Sequence, residues 1–159
     1  MATTVASATL KVTLKEDIVL NGRQQGGESV LSVAGINEIS KRIATVPTSE
    51  VEILVFDTTT IGAGKYRKEN MRYMRFTNLD DENHITLTFK NHNDDEFAIK
   101  LDYGQSYIYN ADRADAVGLE ATMDAIDGTG LTLSLGDLVN VTALSNTAAC
   151  DLEIFTASV

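Results

Sequence analysis

Tryptophan is absent from this chain, and cysteine and proline occur once each among its 159 residues. Basic side chains are also scarce, 13 against 23 acidic ones. Each shortage excludes something. A single thiol, Cys150, closes no intrachain disulfide, so nothing calls for an oxidising compartment. It lies in the apolar run "AACDLEIF" with no histidine or cation beside it, which suits a small buried hydrophobe better than a nucleophile. A net charge of −10 and a pI near 4.5 repel phosphate backbones, and no Lys/Arg stripe offsets them, so nucleic acid is not an expected partner. The longest strongly apolar run, "ILVF" at 53–56, is far too short to cross a bilayer. The N-terminus lacks a basic region followed by an apolar stretch, so neither a secretory signal nor a membrane partner is expected and the chain reads as soluble.

What remains is a strand grammar. Hydrophobic residues make up 43%, enough for one folded domain of ordinary size. The segment 1–9, "MATTVASAT", is small and uncharged and reads as a flexible arm; the single domain runs from 10 to 159. "LKVTLKEDIVL" alternates through Leu10, Val12 and Leu14 and resumes at Ile18 and Leu20. "NGRQQGGES" is a turn-rich loop. "SVLSVAG" is a short strand. In "INEISKRIATV" the β-branched residues, with "VPT" after them, favour strand over helix. "VEILVFD" (51–57) reads as a central strand covered on both faces. Residues 70–89, "NMRYMRFTNLDDENHITLTF", read as a hairpin, with Met74, Phe76 and Leu79 inward and a bulge near Asn78. "DDENH" is its loop, and Ile85, Leu87 and Phe89 share one face of the second arm. Phe97, Ile99 and Leu101 alternate again, and a Gly turn leads into "YIYN". The region 111–130 is either a helical turn or an edge strand through Leu119, Ala121 and Met123. "LTLSL", "LVNVTAL" and "CDLEIFTA" close the chain as strands. The total is about nine to eleven short strands with no helix of three turns, which predicts an all-β single antiparallel sandwich or barrel.

Chemistry is harder to find. Two acidic knots, Asp80–Asp81–Glu82 with His84 and His92 with Asp94–Asp95–Glu96, offer many donor atoms. They lack the calcium-loop pattern of alternating Asp/Asn with Gly and a distal Glu. On an extended strand His84 and His92 stand about 25 Å apart, which excludes a shared zinc. Asx turns account for such tips. "GAGK" at 62–65 lacks the phosphate-loop spacing, and no G-x-S-x-G elbow is present. No catalytic residue, cofactor site or metal site is expected. The basic run "KYRKENMRYMR" (65–75) offers a docking face for an acidic partner, or simply the solvent face of a strand.

Three stretches carry a resemblance: "MRYMRFTNLDDENHITLTF", "FAIKLDYGQSYIYN" and "VTALSNTAACDLEIFTAS". Together they span roughly residues 50 to 159 and resemble small virion structural proteins of tailed bacteriophages. The resemblance implies a jelly-roll-like sandwich in a particle's shell, a capsid decoration or cement protein, or a neck or tail component. It implies no catalytic residues. It implies a homo-oligomer, often a trimer, held against the major capsid protein or other virion proteins, soluble in the host cytoplasm before assembly. Intersubunit contacts are then expected at Thr3, Thr4 and Val5 of the arm and at Tyr66, Arg67 and Arg72 of the basic run. A carbohydrate-binding sandwich using Tyr103, Tyr107 and Tyr109 is the alternative, weakened by the missing tryptophan.

Overall fold

The computed structural model describes residues 4–57, 62, 64–111, 118–119 and 136–159. Four strands form a long N-terminal ribbon: β1 (Ala8–Lys15), β2 (Val19–Leu20), β3 (Arg23–Gln24) and β4 (Glu28–Ile36). Nine more follow: β5 (Glu38–Val46), β6 (Val51–Asp57), β7 (Lys65–Arg67), β8 (Met71–Asn78), β9 (Ile85–Asn91), β10 (Glu96–Leu101), β11 (Ser106–Asn110), β12 (Leu138–Ser145) and β13 (Cys150–Ser158). The described strands number 13, above the expected nine to eleven because the ribbon and the three-residue β7 add short pieces. The fold is all-β, as the alternation predicts.

Two sheets make the sandwich, ordered β10-β9-β12-β6-β7 and β11-β8-β13-β5. All pairs within them are antiparallel except β6 with β7. Setting β7 aside, the eight remaining strands alternate between sheets at every connection but the β9–β10 hairpin. That interleaving is the jelly-roll arrangement. It corrects the sequence reading of residues 70–89, since β8 and β9 are not hairpin partners. β8 pairs with β11 and β13, while β9 pairs with β10 and β12 in the opposite sheet. The polar segment 79–84 carries the chain across the sandwich.

The core lies between the sheets and follows the period-two pattern. In β9, Ile85, Leu87 and Phe89 are fully buried and alternate with half-buried Thr86, Thr88 and Lys90. Met74 and Phe76 of β8, Leu152 and Ile154 of β13, and Leu54 of β6 meet them. Burying each such side chain contributes about 1.5–3 kcal/mol. Leu79 departs from expectation: it lies just past β8 and is 46% exposed. The bulge does not fall at Asn78 either. That side chain is buried and donates to the carbonyls of Asn83 and Leu101, while the register shifts at Ala157/Ser158, opposite Tyr73 and Met71. "LTLSL" and the 111–130 ambiguity lie outside the described residues, apart from Ala111, Gly118 and Leu119. No helix among the described residues is long and apolar enough to cross a membrane.

Candidate interaction surface

The ribbon begins beside the end of β13, where the Asn37 N–H donates to the Ser158 carbonyl at 2.9 Å. Among the described strands β1 and β4 pair only with each other, from Ala8↔Ile36 to Lys15↔Glu28. Their inward side chains cover part of the outer face of the β11-β8-β13-β5 sheet. Val33 and Ile36 pack with Tyr73 and Ala157 as a second buried cluster, joined by half-buried Leu10, Val12, Leu31, Ile108 and Phe155. The arm then reaches β11, where Leu14 and Val30 share an open cavity of about 280 Å³ with Ile108 and Asn110.

Past that point no described strand lies beneath the ribbon. It continues through the Glu16 N–H to Gly27 carbonyl bond, then β2 and β3, to a tip at Asn21-Gly22. Both tip residues have positive φ, 51° and 73°, the combination that a two-residue type I′ hairpin turn requires. The segment "IVL" before the turn leaves Ile18, Val19 and Leu20 at 53%, 66% and 58% exposure. Leu14 is likewise half exposed. At the opposite edge of the same sheet, β5 turns Ile39 and Ile43 outward at 66% and 61% exposure. Among the described strands β5 pairs only with β13, so it is the edge of that sheet as described.

Charges cross the outer face beside these isoleucines. Glu153 of β13 holds Lys41 at 3.0 Å and Arg75 at 2.6 Å. Hydrogen bonds from Lys41 and then Arg75 keep its carboxyl below the usual carboxylate value.

The sequence-expected contact residues scatter. Thr4 and Val5 are exposed, ahead of β1, which starts at Ala8 and so takes in the last two residues of the proposed arm. Thr3 lies outside the described residues. Arg67 is exposed at the end of β7. Tyr66 is 7% exposed and its ring lies 6.4 Å from that of Phe56. Arg72 is 5% exposed, and its guanidinium donates to the backbone carbonyls of Glu69 and Met71. Tyr66 and Arg72 thus face into their own chain: β7 tucks against β6, and Arg72 caps the Glu69 carbonyl of the short 3-10 turn Lys68–Asn70 and the Met71 carbonyl just after it. The exposed apolar positions of the overhang and of β5 escaped the sequence reading. The available signal was a run of three apolar residues abutting Asn-Gly, because a hairpin tip that apolar on both faces cannot cover itself.

The acidic knots hold their own backbone. Asp80 Oδ1 accepts from the N–H groups of Glu82 and Asn83 at 2.9 and 2.6 Å, and the Asn83 and Glu82 bonds lower its pKa. Asn91 Oδ1 accepts from Asn93 and Asp95, and His92 Nδ1 accepts the Asp137 N–H at 2.9 Å. Among the described residues no three His, Cys, Asp or Glu side chains gather as metal ligands. Of the three tyrosines, Tyr103 is exposed, but Tyr107 and Tyr109 turn inward onto Phe89. They are therefore not free to form a sugar platform. Cys150 is buried, its sulfur 2.9 Å from the Ser145 hydroxyl, and burial pushes the thiol pKa up.

No family model and no curated protein matches this chain. Among solved structures it is similar to a Bacillus endospore appendage from a family of disulfide-linked pili. The identity is 10% over 99% of this chain and 94% of that one, with a TM-score of 0.45. It is also similar to the family 11 carbohydrate-binding module of the cellulosomal cellulase Lic26A-Cel5E of Clostridium thermocellum. There the identity is 10% over 99% and 90% of the two chains, with a TM-score of 0.23. At these values neither likeness identifies a role.

Proposed function

We propose that this chain is a non-enzymatic structural protein that acts through protein–protein contacts, as a capsid decoration or cement protein of a phage virion. The observation that carries the reading is the uncovered arm. A sandwich with a buried core of its own nevertheless sends a two-stranded ribbon past its sheet and leaves Ile18, Val19 and Leu20 in solvent. A ribbon of two strands is marginal in water on its own, and such an exposed apolar cluster marks a contact surface. Function then resides in interface area and not in a pocket. The virion assignment is supported by the resemblance over roughly residues 50 to 159. A strongly negative exterior suits the outside of a particle, where like charge keeps particles apart. The partners are the major capsid protein or another virion protein, and the location is the capsid surface.

Co-sedimentation with purified phage heads that lack this protein tests the reading, with copy number read by particle imaging. Saturable binding at a fixed number of copies per head is the expected result. Binding only to necks or tails would move the protein to those parts of the particle. Failure to bind any part of the virion would overturn the assignment.

A further inference from the structure

We infer that the overhanging arm of one copy lies on the β5 side of the same outer sheet face in a second copy, a head-to-tail contact. The donor side chains are Leu14, Ile18, Val19 and Leu20, and the acceptors are Ile39 and Ile43. This inference rests on the reading of the chain as one that works by contacts.

The molecule itself shows what this sheet face accepts. The base of the arm covers Tyr73, Ala157, Phe155 and Ile108 through Leu10, Val12, Leu31 and Val33. The apolar inner face of the ribbon does not stop at the sheet's edge. It runs from Leu10 and Val12 to Leu14 over β11, still 52% exposed, and Ile18, Val19 and Leu20 follow beyond the edge. The arm leaves the sheet at β11, and the uncovered isoleucines stand on β5, the two strands being opposite edges of one sheet. A neighbour placed with its β5 edge beside β11 would receive the overhang on the half of its face that its own arm leaves bare. Surplus donor and surplus acceptor are thus of one chemistry and lie at opposite ends of one sheet.

Charge points to the same pairing. Residues 1–46, which hold both surfaces, carry five basic and four acidic side chains, whereas residues 47–159 carry eight and nineteen. The acids that do reach the acceptor face, Glu153 opposite Ile43 and Asp151 opposite Thr45, are matched there by Lys41 and Arg75. Two copies that repel elsewhere can approach along this near-neutral segment. Because donor and acceptor patches differ, the contact is heterologous, and repetition generates a closed ring or an open filament.

Two double variants of the full chain test this: Val19→Asp/Leu20→Asp breaks the donor, and Ile39→Lys/Ile43→Lys breaks the acceptor. All four positions are exposed, so circular dichroism and melting should match wild type. If the acceptor lysines disturb folding, Ile39→Ser/Ile43→Ser replaces them. Light scattering after size exclusion should find wild type in assemblies larger than two copies and each variant at its 17.2 kDa monomer mass. An equimolar mixture of the two variants retains one intact donor and one intact acceptor, so it should form a dimer and stop there. A monomeric wild type, variants that still assemble, or a mixture that stays monomeric would each overturn the inference. A wild type that is monomeric yet binds heads, with binding lost in the donor variant, would reassign the arm to the shell. Normal self-assembly without any binding to virions would retain this contact and reject the virion role.

Discussion

Phe89 meets four aromatic rings at once, with centroids 4.8 Å from Phe97, 5.3 Å from Tyr109, 5.5 Å from Tyr107 and 5.9 Å from Phe76. Its partners come from β8, β10 and β11, so this one side chain ties both sheets together. Phe89→Ala should destabilise the fold by about 3–5 kcal/mol, the range for a buried aromatic truncated in a packed core. Urea denaturation measures it, and a cost near zero would mean that the rings repack without Phe89. Asp80 works differently, as an acceptor for two backbone N–H groups at the crossing from β8 to β9. Its carboxyl titrates below the usual carboxylate value because of those bonds, Asn83 first. Stabilisation from such a group is present above its unfolded-state pKa and is lost as pH falls through the folded one. Asp80→Ala should therefore melt below wild type at neutral pH, and the gap should close in acid. A gap that is constant with pH would place the effect elsewhere than in the ionised carboxylate.

At the level of the element, the arm is two structures in series. Its base is stabilised by burial against Tyr73 and Ala157, and its tip only by backbone pairing and the Asn21-Gly22 turn. Gly22 sits at φ 73° with open space around its missing side chain, so any penalty on substitution is conformational and not steric crowding. Gly22→Val should distort the turn, at a strain of about 1–2 kcal/mol for a left-handed L-residue. The global melting temperature should stay within error of wild type, because the tip contributes nothing to the core. Amide exchange over residues 18–25 should accelerate, and assembly should weaken. A large drop in melting temperature would mean that the tip packs on the sandwich. The sequence announced this turn through Asn-Gly and carried the strand alternation up to Leu20, yet everything after it read as a loop, since β3 is only two polar residues and carries no visible periodicity.

For the whole molecule, the governing quantity is a charge of −10 set against small apolar contact surfaces. Association of such chains works against long-range repulsion that added salt screens, as the Debye length falls from about 30 Å at 0.01 M to about 8 Å at 0.15 M. Self-association should therefore strengthen over that range, as read by sedimentation equilibrium. Weakening with salt would show that ion pairs, and not apolar burial, hold the copies together. The jelly roll itself supplies a rigid frame for this contact, because both edge strands of the outer sheet are fixed by pairing to β8 and β13.

The sequence by itself determined the fold class and most inward faces. Alternation at i, i+2 is local, so Ile85, Leu87 and Phe89 declare their common face without any partner. Asx and glycine turns are local too, which is why the acidic knots read correctly as turns, and the apolar surroundings of Cys150 gave its burial. Pairing was decided only by the tertiary structure. β13 lies between β8 and β5, bringing Cys150 opposite Val46 and Leu152 opposite Asn78, and no local pattern encodes contacts that far apart in the chain. The polar stretch after β8 looked like a hairpin loop because its turn chemistry is the same whether the chain returns to its own sheet or crosses to the other. The burial of Tyr66 and Arg72, and the exposure of Ile18, Val19, Leu20, Ile39 and Ile43, were settled likewise. Whether an alternating strand faces a core or solvent depends on which sheet lies against it, and for the overhang of the arm the described residues supply none.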